Sequence, residues 1–258
     1  TLIRMPIMGS PPHEISYGRI IDRLRLKDKA HRVSAYNAHM PDFNELAQKL
    51  AVWALPVLLA ITLHEVAHGW VARYLGDNTA AAQGRLSLNP LKHIDPVGTV
   101  LVPGVLLLLG GFLFGWAKPV PVDYRNLRNP KKDMALVAIA GPAVNLLMAL
   151  AWALLLKIAL GQPHEEGLWL GLAQMGIAGI SINLVLMVLN LLPMPPLDGG
   201  RVAVGLLPMK QAIALSKLEP YGMVILIVLM FTGVLSKILG PLVGISQMGV
   251  LSLFGIRG

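Results

Sequence analysis

The chain has 258 residues, of which 55% are hydrophobic and only 14% charged, and its mean hydropathy is +0.62. Soluble domains of this size rarely carry so little charge, and several apolar runs reach the roughly 20 residues that a helix needs to cross a bilayer. There is no cysteine, which excludes disulfides and thiolate ligands and leaves His, Asp and Glu to hold any metal. The net charge of +8 sits in the first residues and in the loops between apolar runs, where it reads as a topology signal and not as a nucleic-acid footprint.

Residues 1–39 are polar and basic, with only weak helical periodicity around Ile20, Ile21, Leu24 and Leu26. They read as an N-terminal extension, and "MPDFNELAQKL" from Met40 reads as the start of the working domain, 40–258. The first expected span runs over about 49–73, bounded by Lys49 and Arg73, with Pro56 as a potential kink. A polar stretch follows, in which "GRLSL" at 84–88 alternates as an edge strand does. Residues 97–117 are apolar but broken by Pro103, Gly104, Gly110, Gly111 and Gly115, so they fit a full span or a re-entrant segment. The basic loop behind them holds a second strand candidate at 120–124. Further spans are expected over about 134–160, 168–193 and 220–238, and the apolar stretch 241–255 reads as a short interfacial helix or half-span.

The first span contains "TLHEVAHGW". Residues four apart share a helix face, so His64 and His68 can grip one metal ion while Glu65, beside them, takes a proton from water. Zinc suits the chemistry, because it accepts imidazoles and brings the pKa of water down to near 7. Two histidines and a glutamate are costly in a lipid-embedded helix unless they have partners or a function; the bland alternative is a polar packing network. A catalytic zinc needs a third protein ligand. Asp198 in "PMPPLDGG" is the best candidate, since the prolines before it open the helix at membrane depth. Its alternative role is the N-cap of the restarting helix. His93 is a rival ligand, against a capping or interfacial role at a span boundary.

"HEVAH", "AGPAVN" and "NLLPMPPLDGG" occur in an order and spacing that resemble the site-2 protease family of intramembrane zinc metalloproteases. "QGRLSLNPLKHIDPVGT" and "GWAKPVPVDYRNLRNP" resemble its compact bacterial branch, over about residues 40–210. The resemblance implies an all-α polytopic membrane protein whose transmembrane helical core carries short membrane-associated strands and a re-entrant segment. It implies one catalytic Zn2+ held by His64, His68 and Asp198, with Glu65 as general base. Asn190, which opens the third motif, would bind the substrate backbone or donate to the oxyanion, with an interhelical hydrogen bond as the plainer role. Asn145 reads as a packing residue beside Gly141. The implied partners are the lipid bilayer and a transmembrane protein substrate, held extended against "GRLSL" or "PVPVDY" by strand addition. The implied location is a bacterial plasma membrane. The competing readings are a metal-handling or transporter-like membrane protein, expected to show paired repeats, and an inactive scaffold, which would have no need of Glu65.

Overall fold

The computed structural model describes residues 43–101, 117–163 and 167–256. Helix α1 (Phe43–Tyr74) carries the first span without a break at Pro56. After the short helix α2 (Thr79–Ala82) and three irregular turns, α3 (Pro130–Leu160) and α4 (Leu168–Asn190) follow. Then come α5 (Asp198–Leu206), α6 (Met209–Ser216), α7 (Glu219–Phe231) and α8 (Val234–Leu253). Four of these helices, α1 from Leu50, α3, α4 and α8, are long and apolar enough to cross a membrane.

The core lies where α3 meets α4, with α1 and α5 packed on α3. Within a bilayer, close packing between helices has to replace the hydrophobic effect, and small residues make it possible. Gly176 lies against Leu156 and Gly179 against the Trp152 ring, so the two backbones approach closely. Leu156, Ile180 and Leu184 are fully buried between them. Leu147, Leu154 and Ile158 on the outer face of α3 are exposed, as lipid-facing positions are.

Asp77 ties the end of α1 to the loop that enters α3. It is fully buried. Its carboxylate accepts from the Thr79 amide at 3.0 Å, the Asp123 amide at 2.9 Å and Asn126 Nδ2 at 3.0 Å. Burial pushes the Asp77 pKa up, but the bonds from Asn126, Thr79 and Asp123 outweigh it and hold the carboxyl below its ordinary value.

Two expectations change. The 220–238 span divides at Gly233, whose φ of 73° is left-handed. That leaves α7 with 13 residues, bent 62° from α6, while the crossing-length helix is α8, which absorbs Pro241 and takes in most of 241–255. Neither "GRLSL" nor "PVPVDY" joins a sheet; no strand ladder is present among the described residues. The second segment cannot form a two-sided edge. Pro119 and Pro121 have no amide to donate, and the Lys118, Val120 and Asp123 amides already donate to His93 O, Glu65 and Asp77.

The basic N-terminal extension falls outside the described residues, as do positions 102–116 of the expected re-entrant segment. The flanks of that segment are described: Pro96–Leu101 form a wide helical turn, and the Lys118 amide donates to His93 O at 2.9 Å.

Candidate metal centre

His64 and His68 project from α1 toward α3, a turn apart, with their rings edge to face and centroids 4.7 Å from each other. Asp198 comes from the first residue of α5. It does not cap that helix: the N-cap position is Leu197, with no side-chain cap bond. The tight turn before it explains the two following glycines. A Cβ on Gly199 would run into the Leu191 and Leu192 carbonyls, and one on Gly200 into the Met194–Pro195 backbone. Only glycine lets the chain fold back this closely, and the fold-back aims the Asp198 carboxylate at the two imidazoles.

His64 Nε2 lies 3.1 Å from His68 Nε2 and 3.1 Å from Asp198 Oδ2, and His68 Nε2 lies 3.3 Å from the same oxygen. All three residues are buried. The opposite side of each ring shows which nitrogen carries the proton. His68 Nδ1 donates to Val137 O at 2.7 Å, and a carbonyl can only accept. His64 Nδ1 donates to Asn145 Oδ1 at 2.6 Å. The Asn145 oxygen is identified by its other end, where Nδ2 donates to Ala60 O at 3.2 Å. In the neutral rings both Nε2 atoms are therefore bare acceptors, and Asp198 Oδ2 has no hydrogen-bond donor.

Three buried acceptors facing each other repel unless a proton or a metal cation lies among them, and with both Nδ1 protons committed outward a metal ion is the cation that engages all three at once. Tetrahedral zinc with ligands at about 2.0–2.2 Å sets its ligand atoms about 3.3–3.6 Å apart, and the three separations of 3.1, 3.1 and 3.3 Å lie within a few tenths of an ångström of that range. The donor set, two imidazoles and one carboxylate, is that of a hydrolytic zinc site with one position left open. His64, His68 and Asp198 form the one cluster of this kind among the described residues.

His93 does not belong to it. Its Nε2 donates to Ser87 O at 2.9 Å in the loop region. Glu65 is half-buried, and its Oε2 accepts the Val120 amide at 2.8 Å. Val120 is held there by packing on Gly69 of α1 and by Arg85, which donates to Lys118 O at 3.0 Å and Pro119 O at 3.2 Å. Asn190 lies at the end of α4, where its Nδ2 donates back to Leu186 O at 3.0 Å.

The support of the site escapes a motif-by-motif reading. Val137, Gly141 and Asn145 are four apart and form one face of α3. The first supplies a carbonyl to His68 and the last an oxygen to His64. Between them, a Cβ on Gly141 would lie 2.5 Å from His64 Cε1 and 2.5 Å from His68 Nε2. Asn145 is thus more than a packing residue: it fixes the tautomer of a ligand candidate. The signal available in the sequence was an amide in mid-span, a turn after a glycine. The Val120 amide and Val137 carbonyl are backbone groups and leave no residue signature.

The comparisons with known proteins agree with this chemistry. Over 202 residues the chain is 40% identical to YwhC of Bacillus subtilis, covering 78% of this chain and 89% of YwhC. It is 34% identical to Rip2 of Mycolicibacterium smegmatis over 70% of this chain and 66% of Rip2, and 32% identical to Rip2 of Mycobacterium tuberculosis over 67% and 63%. All three are provisionally named zinc metalloproteases. No family model matches the chain, and no solved structure matches it significantly. The chain belongs to the family of zinc metalloproteases that includes YwhC.

Proposed function

We propose that this member of the YwhC family is an intramembrane protease of the site-2 type, which hydrolyses peptide bonds within or near the transmembrane segments of other membrane proteins. The observation that carries the reading is the convergence of three bare acceptor atoms, His64 Nε2, His68 Nε2 and Asp198 Oδ2, between helices apolar enough to span a bilayer. These three residues would hold the zinc. Zinc held there polarises the scissile carbonyl and lowers the pKa of the attacking water.

The chain's own residues account for the rest. Glu65 follows His64 directly and takes the proton that the attacking water loses. Its Oε2 is engaged by the Val120 amide, which leaves Oε1 for that proton. As the water oxygen bonds to the carbonyl carbon and the C–N bond breaks, Glu65 returns the proton to the departing amine. Asn190 is the candidate donor to the substrate backbone or the oxyanion, which requires its amide to leave Leu186 O. The substrate helix has to unwind to expose a peptide bond. Residues 84–88 are the better candidate edge for the extended segment, since the prolines and committed amides of 118–123 leave that stretch little to pair with. The location that suits these features is the plasma membrane of a bacterium.

The test is Glu65→Gln in purified protein, with a model transmembrane substrate. Zinc content should match the unaltered protein while cleavage is lost. Cleavage at a near-normal rate would remove Glu65 from the role of base.

A further inference from the structure

Asn183 lies in the middle of α4, fully buried. Its neighbours on the core side are apolar, and Leu184 beside it is buried to the same degree. An amide in such a place costs free energy unless both of its ends are satisfied. Asn183 Nδ2 donates to Gly179 O at 2.9 Å. Since that carbonyl only accepts, Asn183 Oδ1 is the atom that faces Asn145, and it receives Asn145 Nδ2 at 2.9 Å. The next link is the 2.6 Å bond from His64 Nδ1 to Asn145 Oδ1. One unbroken run of donors and acceptors therefore leads from a backbone carbonyl of α4, through two side-chain amides, to the imidazole of α1.

The direction of this run matters. Asn145 can present either its oxygen or its NH2 to His64, and the two orientations have nearly the same shape. With the oxygen toward His64, Nδ1 keeps its proton and Nε2 is a bare acceptor. With the NH2 toward His64, Nδ1 becomes the acceptor, the proton moves to Nε2, and the ring can no longer bind a metal through that atom. Two acceptors oppose the second orientation: Ala60 O at 3.2 Å and Asn183 Oδ1 at 2.9 Å. Asn183 makes the shorter contact of the two, and turning Asn145 would leave two buried oxygens face to face.

We propose that Asn183 is a positioning residue for the metal centre: through Asn145 it selects the His64 tautomer whose Nε2 is free to bind zinc. The inference rests on His64 being a zinc ligand. It explains why an apolar span carries a fully buried amide at this position. The residue never touches the metal or a substrate. Its effect is to keep one ligand atom unprotonated and free for the metal.

The test compares Asn183→Leu with Leu184→Ala in the purified full-length protein. Two quantities are measured: the zinc dissociation constant, by competition with a chromophoric chelator, and the melting temperature of the zinc-free form. Asn183→Leu should weaken zinc binding by roughly ten- to a hundredfold, as removal of an outer hydrogen-bond partner does, with no loss of apo melting temperature. Leu184→Ala should lower the melting temperature and leave the dissociation constant within about threefold. Asn183→Ala removes the same amide without adding volume and should weaken zinc binding to a similar extent, which keeps the test open if the leucine is not accommodated. Zinc affinity within about threefold of the unaltered protein in both Asn183 variants overturns the proposal. So does a loss of affinity that Leu184→Ala reproduces, because it would mark a packing effect. His64→Ala, measured alongside, separates the two levels of the argument. If it keeps zinc, the ligand assignment fails; if it loses zinc while the Asn183 variants keep it, only the role of Asn183 fails.

Discussion

Replacing Gly141 with alanine adds a single methyl group at the most demanding point of the metal centre. The new Cβ would lie 2.5 Å from His64 Cε1, 2.5 Å from His68 Nε2 and 2.6 Å from His64 Nε2. Ordinary contact begins at 3.4 Å, so both rings would have to withdraw by about 0.9 Å, whereas metal–ligand distances tolerate only about 0.2 Å. The rings are not free to withdraw, since Val137 O and Asn145 Oδ1 hold them from α3 itself. The overpacking costs about 1–3 kcal/mol of stability, which the fold can absorb. Zinc affinity should fall by at least the roughly hundredfold that marks the upper end of outer-shell effects. The assay is a zinc titration together with melting curves taken with and without a chelator. The unaltered protein should melt lower in chelator, because binding to the folded state alone stabilises it; Gly141→Ala should melt at the same temperature in both. Gly249→Ala, where a Cβ meets nothing within 4 Å, is the matched control and should keep the chelator-sensitive shift. A Gly141→Ala protein that binds zinc as tightly as the control would refute the geometry.

Four further outcomes are expected. Asp198→Ala should lose zinc and activity together, and full zinc occupancy in that variant would mean that another residue completes the site. Asn190→Ala should reduce turnover by about a hundredfold with zinc retained, the usual loss for an oxyanion donor; an unchanged rate would confine Asn190 to its bond with Leu186. Arg85→Met releases the Lys118 and Pro119 carbonyls and with them the grip on the Val120 amide, so turnover should drop about tenfold while zinc content holds; equal loss of both would place Arg85 in folding instead. The Lys118–His93 hydrogen bond implies that residues on either side of 94–117 share one face of the membrane. Because the chain has no native cysteine, cysteines at Gln83 and Asn129 can be probed one at a time with an impermeant thiol reagent. Both should react from the same side, and labelling from opposite sides would rule out the shared face.

The spans were legible wherever the apolar run was longer than any core helix requires and ended in charge or a turn residue. Lys49 and Arg73 bracket the first span, and Asp133 and Gly161 the one that α3 carries. The last third was not legible for a local reason. Between α7 and α8 the hydropathy drops only briefly, at Thr232, Gly233, Ser236 and Lys237, and the break depends on Gly233 taking a left-handed φ, which a single glycine does not announce. Conversely, Gly240 and Pro241 look like breakers but lie inside α8. A proline in a membrane helix forfeits one amide hydrogen bond and is tolerated where neighbours or local adjustment compensate. The strand candidates failed because alternation predicts which way side chains point, not whether a partner edge exists.

The metal centre shows the same division more sharply. His64, Glu65 and His68 could be read directly because the helical period puts them on one face, and Asp198 could be nominated because an acid beside broken helix needs a reason. What could not be read is why these residues would bind a metal and not merely hydrogen-bond to one another. That depends on the far side of each imidazole. Had Asn145 presented its NH2 to His64, the same residues at the same separations would hold a proton on Nε2, and the cluster would be a buried His–Asp hydrogen bond of the packing kind. The difference between a structural polar network and a zinc site is thus carried by amide orientation, which is set by Ala60 O and Asn183 on two other helices. No motif records it, because one anchor is a backbone carbonyl and the other lies outside all three motif stretches. A sequence in which "HEVAH" and "LDGG" are intact while the amides behind His64 are replaced by apolar residues should therefore fold well and bind zinc poorly.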